Sequence, residues 1–370
     1  MSLPRIALDV SLLAGPQPTG VERGLATLRD ALAACGAVEL VELAAPASLP
    51  VALWRETALP RLLAGLRIDV YHSPVAALPL RAGCATVATL HELPWASDDP
   101  AARATGDARW THRARTALAA AVATRLACVS ERTRAHLLAR HPEAAARAAV
   151  IPHAVAGRFV PAARGSAEAV TDAALRARCG LREDGGPPFV LAVGRLRRKK
   201  NLAALLDAFA AAPAAAGARL LLAGPDGDAA PALAARARRP DLSGRVLFAG
   251  AVDDRTLLAL YRGAALLAFP SLFEGFGLPV LEAMACGTAV LASEEGAAPE
   301  VRGDAVATCR AGDPASLAAA LQALLASPAR RAELVASGAR HVARFDAASL
   351  ARAHVALYAG CLAPRARGAR

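Results

Sequence analysis

The sequence predicts an α/β protein made of two doubly wound domains. Its 370 residues exceed the length that one hydrophobic core usually supports, so two domains are expected. Short apolar segments alternate with helical segments through both halves of the chain, and these apolar segments lack the polar alternation of a half-exposed sheet. We therefore expect two parallel sheets covered by helices on both faces, with ligands at the carboxyl ends of the strands.

The first half of the chain contains the predicted N-terminal domain, residues 1–165. Its predicted strands are the short apolar segments 5–10, 38–43, 69–72, 85–90, 125–129 and 148–152. The segments between them are rich in Ala, Leu and Arg, which favour helices, and predict helices at 20–34, 53–66, 101–123 and 131–140. Prolines and glycines then punctuate residues 156–188, where we expect the junction between the domains.

The second half repeats the pattern and predicts a C-terminal domain over residues 186–345. Its strands are expected at 189–193, 219–223, 245–249, 266–269, 288–292 and 305–308, with a helix at 202–211. A last amphipathic helix is expected at 349–363.

Composition excludes several classes of protein. Apolar residues make up 55% of the chain and charged residues 20%, which excludes a disordered protein. No uninterrupted apolar run reaches the roughly 18 residues of a membrane-spanning helix, and the N-terminus is typical of a first strand rather than of a signal peptide. Seven scattered cysteines predict neither a disulfide framework nor a zinc site, which indicates a cytoplasmic protein with reduced thiols.

The net charge of +11 favours anionic partners, such as nucleoside diphosphates or phospholipid-linked acceptors. No zinc-finger or aromatic-interleaved basic patch is present, so nucleic acid is not an expected partner. A second hypothesis is peripheral contact with an anionic membrane at the inner membrane face, because basic and apolar residues alternate in one segment. These residues are Leu53, Trp54, Leu62 and Leu63, flanked by Arg55, Arg61 and Arg67. Core packing accounts for the same leucines equally well.

Residues 269–293 predict a strand, a glycine loop, a short helix and a second strand. Pro279 suits the first turn of the helix and Gly287 suits its end. The backbone N–H groups of Gly277 and Leu278 would then point out of the helix start, where the helix dipole adds partial positive charge. This arrangement predicts a binding site for an anion such as a diphosphate.

Two glutamates extend this predicted anion site. Glu274 lies in the loop, where it can reach a polyhydroxylated ring, and Glu282 lies about one turn into the helix, where it can accept hydrogen bonds from a ribose. Singly, each has an ordinary explanation, as a solvated loop residue or a charge on a helix. Together with the glycines and Phe276, they predict a nucleotide-sugar site.

The segment EGFGLPVLEAMACG, with Glu274, Gly275, Phe276, Gly277, Leu278 and Glu282, resembles the donor-site signature of glycosyltransferase family 4. A second segment, VGRLRRKKN, is similar to the diphosphate-binding segment of that family, and the resemblance assigns donor phosphates to Arg195 and Lys200. For the remaining basic residues, Arg197, Arg198 and Lys199, a solvated surface is the expectation. The resemblance implies the GT-B fold, with two Rossmann-like domains facing each other across a cleft, and a retaining mechanism.

The resemblance also assigns residues in the first half. His91 follows a predicted strand, and the resemblance places it beside the donor sugar as a catalytic-site residue that hydrogen-bonds the sugar. Gly20 belongs to a loop that resembles the family's glycine loop near the donor phosphate and the acceptor. His72 is a weaker candidate, and His153 is expected to be structural. The helix at 349–363 is expected to pack back on the N-terminal domain.

The predicted reaction is transfer of a sugar from a nucleoside diphosphate to a hydroxyl of a glycan or lipid-linked acceptor. Mannose is favoured because the signature resembles mannosyltransferases of polysaccharide assembly. No cofactor or metal is expected, because Arg195 and Lys200 supply the cations; Asp226 and Asp228 are assigned to a turn away from the donor motifs. The alternatives are a sugar-nucleotide epimerase, a phosphorylase, or a non-catalytic protein that binds sugar nucleotides.

Overall fold

The computed structural model describes residues 3–15, 19–96, 110–163, 165–182 and 186–362. These residues form two compact units. Unit 1 comprises the described residues of Met1–Ala154 and Phe345–Arg370, and unit 2 those of Val155–Arg344.

Strands and helices alternate along the described chain. The strands are β1 (Arg5–Asp9), β2 (Glu39–Leu43), β3 (Val70–Ser73), β4 (Ala85–Leu90), β5 (Arg125–Cys128), β6 (Ala148–Val150), β7 (Phe189–Val193), β8 (Arg219–Ala223), β9 (Val246–Gly250), β10 (Leu266–Phe269), β11 (Val290–Ser293) and β12 (Ala307–Cys309). The helices are α1 (Gly20–Cys35), α2 (Val51–Thr57), α3 (Leu59–Gly65), α4 (Trp110–Val122), α5 (Glu131–Leu138), α6 (Ala167–Ala177), α7 (Leu202–Ala211), α8 (Ala230–Ala237), α9 (Asp254–Gly263), α10 (Leu278–Ala285), α11 (Pro299–Arg302), α12 (Pro314–Ala326), α13 (Pro328–Val342) and α14 (Ala347–Leu362).

Unit 1 is built on a parallel sheet with the described strand order β2-β1-β3-β4-β5-β6. Ile6 and Leu8 of β1 pack on one face with α1 and α14, whereas Ala7 between them packs on the other face with Trp54 of α2. Both faces are apolar because helices cover both, as the absence of polar alternation predicted. The order reverses between β1 and β3, which makes the carboxyl ends of these strands a topological switch point.

The last helix, α14, belongs to unit 1 although unit 2 precedes it in the chain. It packs against α1 and β4. Its buried residues Leu350, Leu357 and Tyr358 join the same core cluster as Ile6 and Leu8. Residue 363, the predicted end of this helix, lies outside the described residues.

A single helix predicted at 53–66 is wrong, because two helices occupy this segment. The break falls at Ala58, between α2 and α3. Pro60 is the cause: a proline has no N–H to donate back into the preceding turn, so the hydrogen-bond ladder is interrupted there. Of the helix predicted at 101–123, residues 101–109 lie outside the described residues, and the remainder forms α4.

Unit 2 is a second parallel sheet, with the described strand order β12-β11-β10-β7-β8-β9. Helices α7 and α12 pack over one face, where buried leucines of both helices meet β7 and β8. Its first strand, β7, is flanked by β8 on one side and by β10 on the other. The switch point of unit 2 therefore lies between the carboxyl ends of β7 and β10.

Unit 2 begins at Val155, before the predicted boundary at residue 165. The reason is that the segment from Val155 to α6 is bound to α9 by a hydrogen bond and an ion pair. Arg262 of α9 donates from Nε to the Val160 carbonyl at 2.8 Å and forms an ion pair with Asp172 of α6 at 3.2 Å. The segment from Val155 to α6 thus packs with the second sheet.

The apolar residues behind the membrane hypothesis are divided between interior and surface. Trp54 and Leu63 are buried in unit 1, and Arg55 is buried beside Asp9; Leu53 and Leu62 are exposed. Core packing therefore explains half of the apolar side chains and one of the arginines. Among the described residues, no helix has both the length and the apolar composition to cross a bilayer.

The buried ion pair of Asp9 and Arg55 joins the end of β1 to α2. Arg55 Nη2 lies 2.8 Å from Asp9 Oδ2, and the Tyr71 hydroxyl donates to the same oxygen at 3.0 Å. Because removing one partner leaves a buried charge, we predict that Arg55→Ala lowers the free energy of unfolding by about 3–5 kcal/mol. Chemical denaturation would measure this change. The exposed Arg61→Ala is the control, and an equal loss in both variants would contradict the prediction.

Candidate functional site

The predicted donor residues lie on two loops at the switch point of unit 2. Arg195 and Lys200 follow β7, and Glu274 follows β10. Because β7 and β10 are neighbours in the sheet, their carboxyl ends meet at one edge. Lys200 and Glu274, which are 74 residues apart in the sequence, are thereby brought together. They lie at the strand ends where α/β sheets bind ligands.

Lys200 and Glu274 form the central contact of this site. Lys200 Nζ donates to Glu274 Oε1 at 2.6 Å and also lies 5.0 Å from the centre of the Phe269 ring. Burial opposes ionisation of Glu274, but the nearby Lys200 and Lys199 outweigh it, so the pKa of Glu274 lies below its ordinary value. The site therefore holds a buried carboxylate that stays ionised.

The expectation that Lys199 is solvated is wrong. Its side chain is buried, and its Nζ lies 3.9 Å from Glu274 Oε2. The backbone causes this orientation: residues Arg198–Lys200 form a 3₁₀ turn, and the Lys199 carbonyl accepts a hydrogen bond from Leu272 N at 2.8 Å. This bond ties the loop after β7 to the loop after β10.

Arg195 lies against the turn that contains Asp226 and Asp228. Its Nη1 donates to the Asp226 carbonyl at 3.1 Å, and Asp228 Oδ1 accepts from Arg198 N at 3.0 Å. The expectation that this turn lies away from the donor motifs is therefore wrong. Gly224 permits the close approach, because a Cβ there would lie 2.2 Å from the Gly194 carbonyl oxygen. In the part of the chain that the structure describes, no group of three or more acidic, His or Cys side chains is arranged to hold a metal.

The helix start predicted for anion binding is formed by Gly277 and α10. Gly277 has φ +111°, and a Cβ at this position would lie 2.7 Å from Ala297 Cβ, so a larger residue does not fit. Within the described chain, α10 has no side-chain cap. Pro279 in its first turn has no N–H, and the Val280 N–H donates to the Gly277 carbonyl at 3.0 Å. Pro279 lies in the first turn as predicted, and Gly287 follows the helix with φ +76°.

Glu282, predicted to bind a ribose, is buried within α10. Its Oε2 accepts a hydrogen bond from the Tyr261 hydroxyl of α9 at 2.8 Å. Gly275 and Phe276 complete the loop before the helix, and Phe276 is buried. Tyr261 is a site residue that the sequence did not predict, because its apolar helical context gave no signal of a polar contact.

In unit 1, His91 lies just beyond β4, as predicted. Its Nε2 donates to the Pro74 carbonyl at 2.7 Å, which leaves Nδ1 of a neutral ring as an acceptor. His153 Nε2 lies 3.3 Å from this Nδ1, and the two rings stack at 5.3 Å. His153 is thus a direct neighbour of His91.

Gly20, the predicted close-approach residue, is the exposed first residue of α1. Thr19 and Glu22 form a capping box around it, which stabilises the helix start. Another glycine of this helix, Gly24, packs closely inside the unit, because a Cβ there would lie 2.7 Å from the His153 ring. Part of this loop, residues 16–18, lies outside the described residues.

Two further histidines lie deeper in unit 1. His72 contacts the Tyr358 hydroxyl at 2.7 Å and Thr89 Oγ1 at 2.8 Å, and its ring stacks on His354 at 5.5 Å. Burial lowers the pKa of all four histidines, to about 4 for His354. The cluster of His72, His91, His153 and His354 is therefore neutral near pH 7.

Comparison with protein families accounts for both units. Residues 176–341 match the family described as Glycosyl transferases group 1, and residues 9–156 match Glycosyltransferase Family 4. The chain belongs to the group 1 glycosyltransferases of the family 4 type. The two parallel sheets are the α/β layers of the GT-B fold, which confirms the predicted fold class.

Relatives of this group 1 glycosyltransferase include O-antigen chain mannosyltransferase B of Escherichia coli, 38% identical over 119 residues, which are 32% of this chain and 31% of that protein. The D-inositol 3-phosphate glycosyltransferase of Segniliparus rotundus is 34% identical over 206 residues, covering 52% of this chain and 45% of the relative. The matched regions thus span less than half of these curated relatives. The structure of Anabaena HepE in complex with UDP and glucose is similar in fold, with a TM-score of 0.75 and 18% identity, covering 96% of this chain and 99% of that one.

The neutral histidine cluster predicts a pH-dependent stability in this glycosyltransferase. Between pH about 4 and 6.5 an unfolded histidine binds a proton that folded His354 does not, so stability is complete above pH 6.5 and falls as the pH drops. For His354 the loss amounts to about 3 kcal/mol by pH 4. Denaturation of the wild type and of His354→Gln across this range would measure the slope, which the variant should reduce. His141→Gln, on the surface, is the control; an unchanged slope in His354→Gln would contradict the prediction.

Proposed function

We propose that the protein is a retaining glycosyltransferase that moves a sugar, with mannose favoured, from a nucleoside-diphosphate sugar to a hydroxyl of a glycan or lipid-linked acceptor. The observation that carries this proposal is the contact of Lys200 with Glu274 at the carboxyl ends of β7 and β10. It brings a phosphate-binding type of side chain and a sugar-binding type of side chain to one point of unit 2.

The chemistry of the donor explains why both types are needed. Transfer releases a nucleoside diphosphate, so negative charge develops on its β-phosphate. Arg195, Lys200 and the helix start after Gly277 would supply positive charge around this point, and such electrostatic stabilisation is usually a large share of catalysis. We propose that no resident metal is required, because these groups provide the charge that a divalent cation supplies elsewhere.

The carboxylates are proposed to hold the two ends of the donor. Glu274 lies in the loop and would accept hydrogen bonds from the transferred sugar, whereas Glu282, one turn into α10, would accept from the ribose. In the described structure Glu282 Oε2 accepts from Tyr261, so ribose binding would share this buried hydroxyl contact. His91 is also proposed to hydrogen-bond the donor sugar.

Support for mannose comes from the name of a relative, O-antigen chain mannosyltransferase B. HepE, which shares the fold at low identity, is described in complex with UDP and glucose. We therefore propose GDP-mannose as the first donor to test, with UDP-glucose and UDP-N-acetylglucosamine as competitors in a thermal-shift panel. Peripheral contact with an anionic membrane stays a second proposal, which Leu53 and Leu62 support because they are exposed; Trp54, Leu63 and Arg55 are buried and cannot contribute to it.

One prediction of the proposed function concerns the two cations that would bind the donor phosphates, Arg195 and Lys200. Charge-assisted hydrogen bonds are worth about 1.5–3 kcal/mol each, so Arg195→Ala combined with Lys200→Ala should weaken binding of GDP or UDP by at least about 100-fold. Calorimetry in the presence of EDTA measures this and tests the metal proposal in the same experiment. Arg197→Ala with Arg198→Ala removes the same charge from the same segment and should bind like the wild type. Undiminished binding in the first double variant would contradict the assignment.

Another prediction distinguishes the roles of Glu274 and Glu282. Glu274→Gln should lower the rate of transfer by about 100-fold with little loss of nucleotide affinity, because the sugar contact acts mainly on the reacting group. Glu282→Ala should instead weaken nucleotide binding by about 10-fold or more, through the lost ribose contact. Kinetics measure the transfer rate of both variants, and calorimetry measures their nucleotide affinity. Incubation of the wild type with nucleotide sugar but no acceptor would detect an epimerase. Near-wild-type behaviour of both variants would refute the sugar and ribose roles of the two glutamates.

A further inference from the structure

The carboxylate of Glu274 lies between two ammonium groups. Lys200 Nζ is 2.6 Å from Oε1, and Lys199 Nζ is 3.9 Å from Oε2. All three side chains are largely buried, with 15%, 9% and 13% exposed for Lys200, Lys199 and Glu274. A carboxylate with a second cation on its other oxygen can keep its charge compensated when the first cation moves.

Such a movement follows from the proposed function. Lys200 would bind the donor diphosphate, yet in this structure it is paired with Glu274. When Lys200 turns to phosphate, its attraction on Glu274 weakens. A buried carboxylate without a cation takes up a proton, and a protonated carboxyl group loses acceptor capacity for sugar hydroxyls.

The backbone holds Lys199 where it can prevent this protonation. Its carbonyl accepts from Leu272 N at 2.8 Å, which fixes the 3₁₀ turn against the loop that carries Glu274. Lys200 approaches from another side. Its Nζ lies over the Phe269 ring, and a Cβ added to Gly194 would lie 3.4 Å from the same Nζ. The two neighbouring lysines thus approach Glu274 from distinct positions.

We propose that Lys199 is a positioning residue of the donor site, which keeps the Glu274 carboxylate ionised and in place while Lys200 turns to the donor diphosphate; this inference rests on the proposed function. The two lysines have different roles. Lys200 exchanges its anion on donor binding, and Lys199 does not.

Three other charged residues on the surrounding loops have contacts of their own. Arg195, after β7, donates to the Asp226 carbonyl. Glu295, after β11, accepts from Ala311 N at 3.1 Å, and its neighbour Glu294 donates its backbone N–H to the Cys309 carbonyl. Lys199 and Lys200 are the charged groups that lower the pKa of Glu274.

The test is the number of protons taken up when GDP or UDP binds. Calorimetry at pH 6.5 in buffers of different ionisation enthalpy gives this number without any need for turnover. In the wild type the nucleotide phosphate alone should contribute, and it should release a fraction of a proton, because the cations of the site favour its fully ionised form. In Lys199→Met proton uptake should exceed the wild-type value by up to about one proton per nucleotide, because Glu274 protonates as Lys200 leaves it. The acidic limb of the transfer rate should also move to higher pH by about one unit.

Matched variants separate this role from a general loss of charge. Arg198→Met removes one positive charge from the adjacent, exposed residue and should leave proton uptake at the wild-type value. Lys199→Arg keeps the charge and should restore it. Lys199→Gln is a second, polar replacement in case the methionine variant does not fold, and should behave like it.

The outcomes are distinct. Proton uptake in Lys199→Met or Lys199→Gln equal to that of the wild type, or equal to a change seen in Arg198→Met, would overturn the inference while leaving the proposed function intact. Failure of Lys199→Arg to restore uptake would also overturn it. Absence of nucleotide binding by the wild type and by Arg198→Met would overturn the proposed function itself.

Discussion

The ion pair of Lys200 and Glu274 is the interaction on which the donor side of this protein depends. It closes the gap between the loops after β7 and β10, and it does so with two charges that are largely removed from water. Burying a single charge would be costly, so each side chain compensates the charge of the other. A ligand that binds at this point must therefore offer an anion to Lys200 and hydrogen-bond donors to Glu274. A diphosphate joined to a hydroxylated ring meets that requirement, since it brings anions for the cations and hydroxyl donors for the carboxylate.

The sheet topology determines where this interaction can form. In unit 2 the chain leaves β7 in one direction and returns through β10 on the other side, so the two loops diverge from neighbouring strand ends and create a crevice. Gly224 and Gly277 allow chain segments to approach at this edge more closely than a Cβ permits. Packing alone therefore explains one glycine of the signature, Gly277.

Much of the fold could be predicted from local patterns. The strands at residues 85–90, 189–193, 219–223 and 266–269 have the predicted bounds, because helices cover both faces of each sheet and the strands are therefore mainly apolar. Contacts between distant segments could not be predicted in this way. Nothing in a run of four basic residues indicates that Lys199 turns inward, because its direction depends on a hydrogen bond to Leu272, far along the chain. The contact of Glu282 with Tyr261 is likewise fixed by two helices, α10 and α9, that are separate in the sequence. The contact of His91 with His153 joins the segments that follow β4 and β6.

The return of α14 to unit 1 has a consequence for biosynthesis. The groove of unit 1 that receives Leu350, Leu357 and Tyr358 is encoded near the start of the chain, whereas the helix that fills it is translated after all of unit 2. During synthesis at the ribosome, this apolar groove stays uncovered until the last helix emerges. Until then the first sheet keeps an exposed apolar surface. The second unit can complete its own core before the first one does.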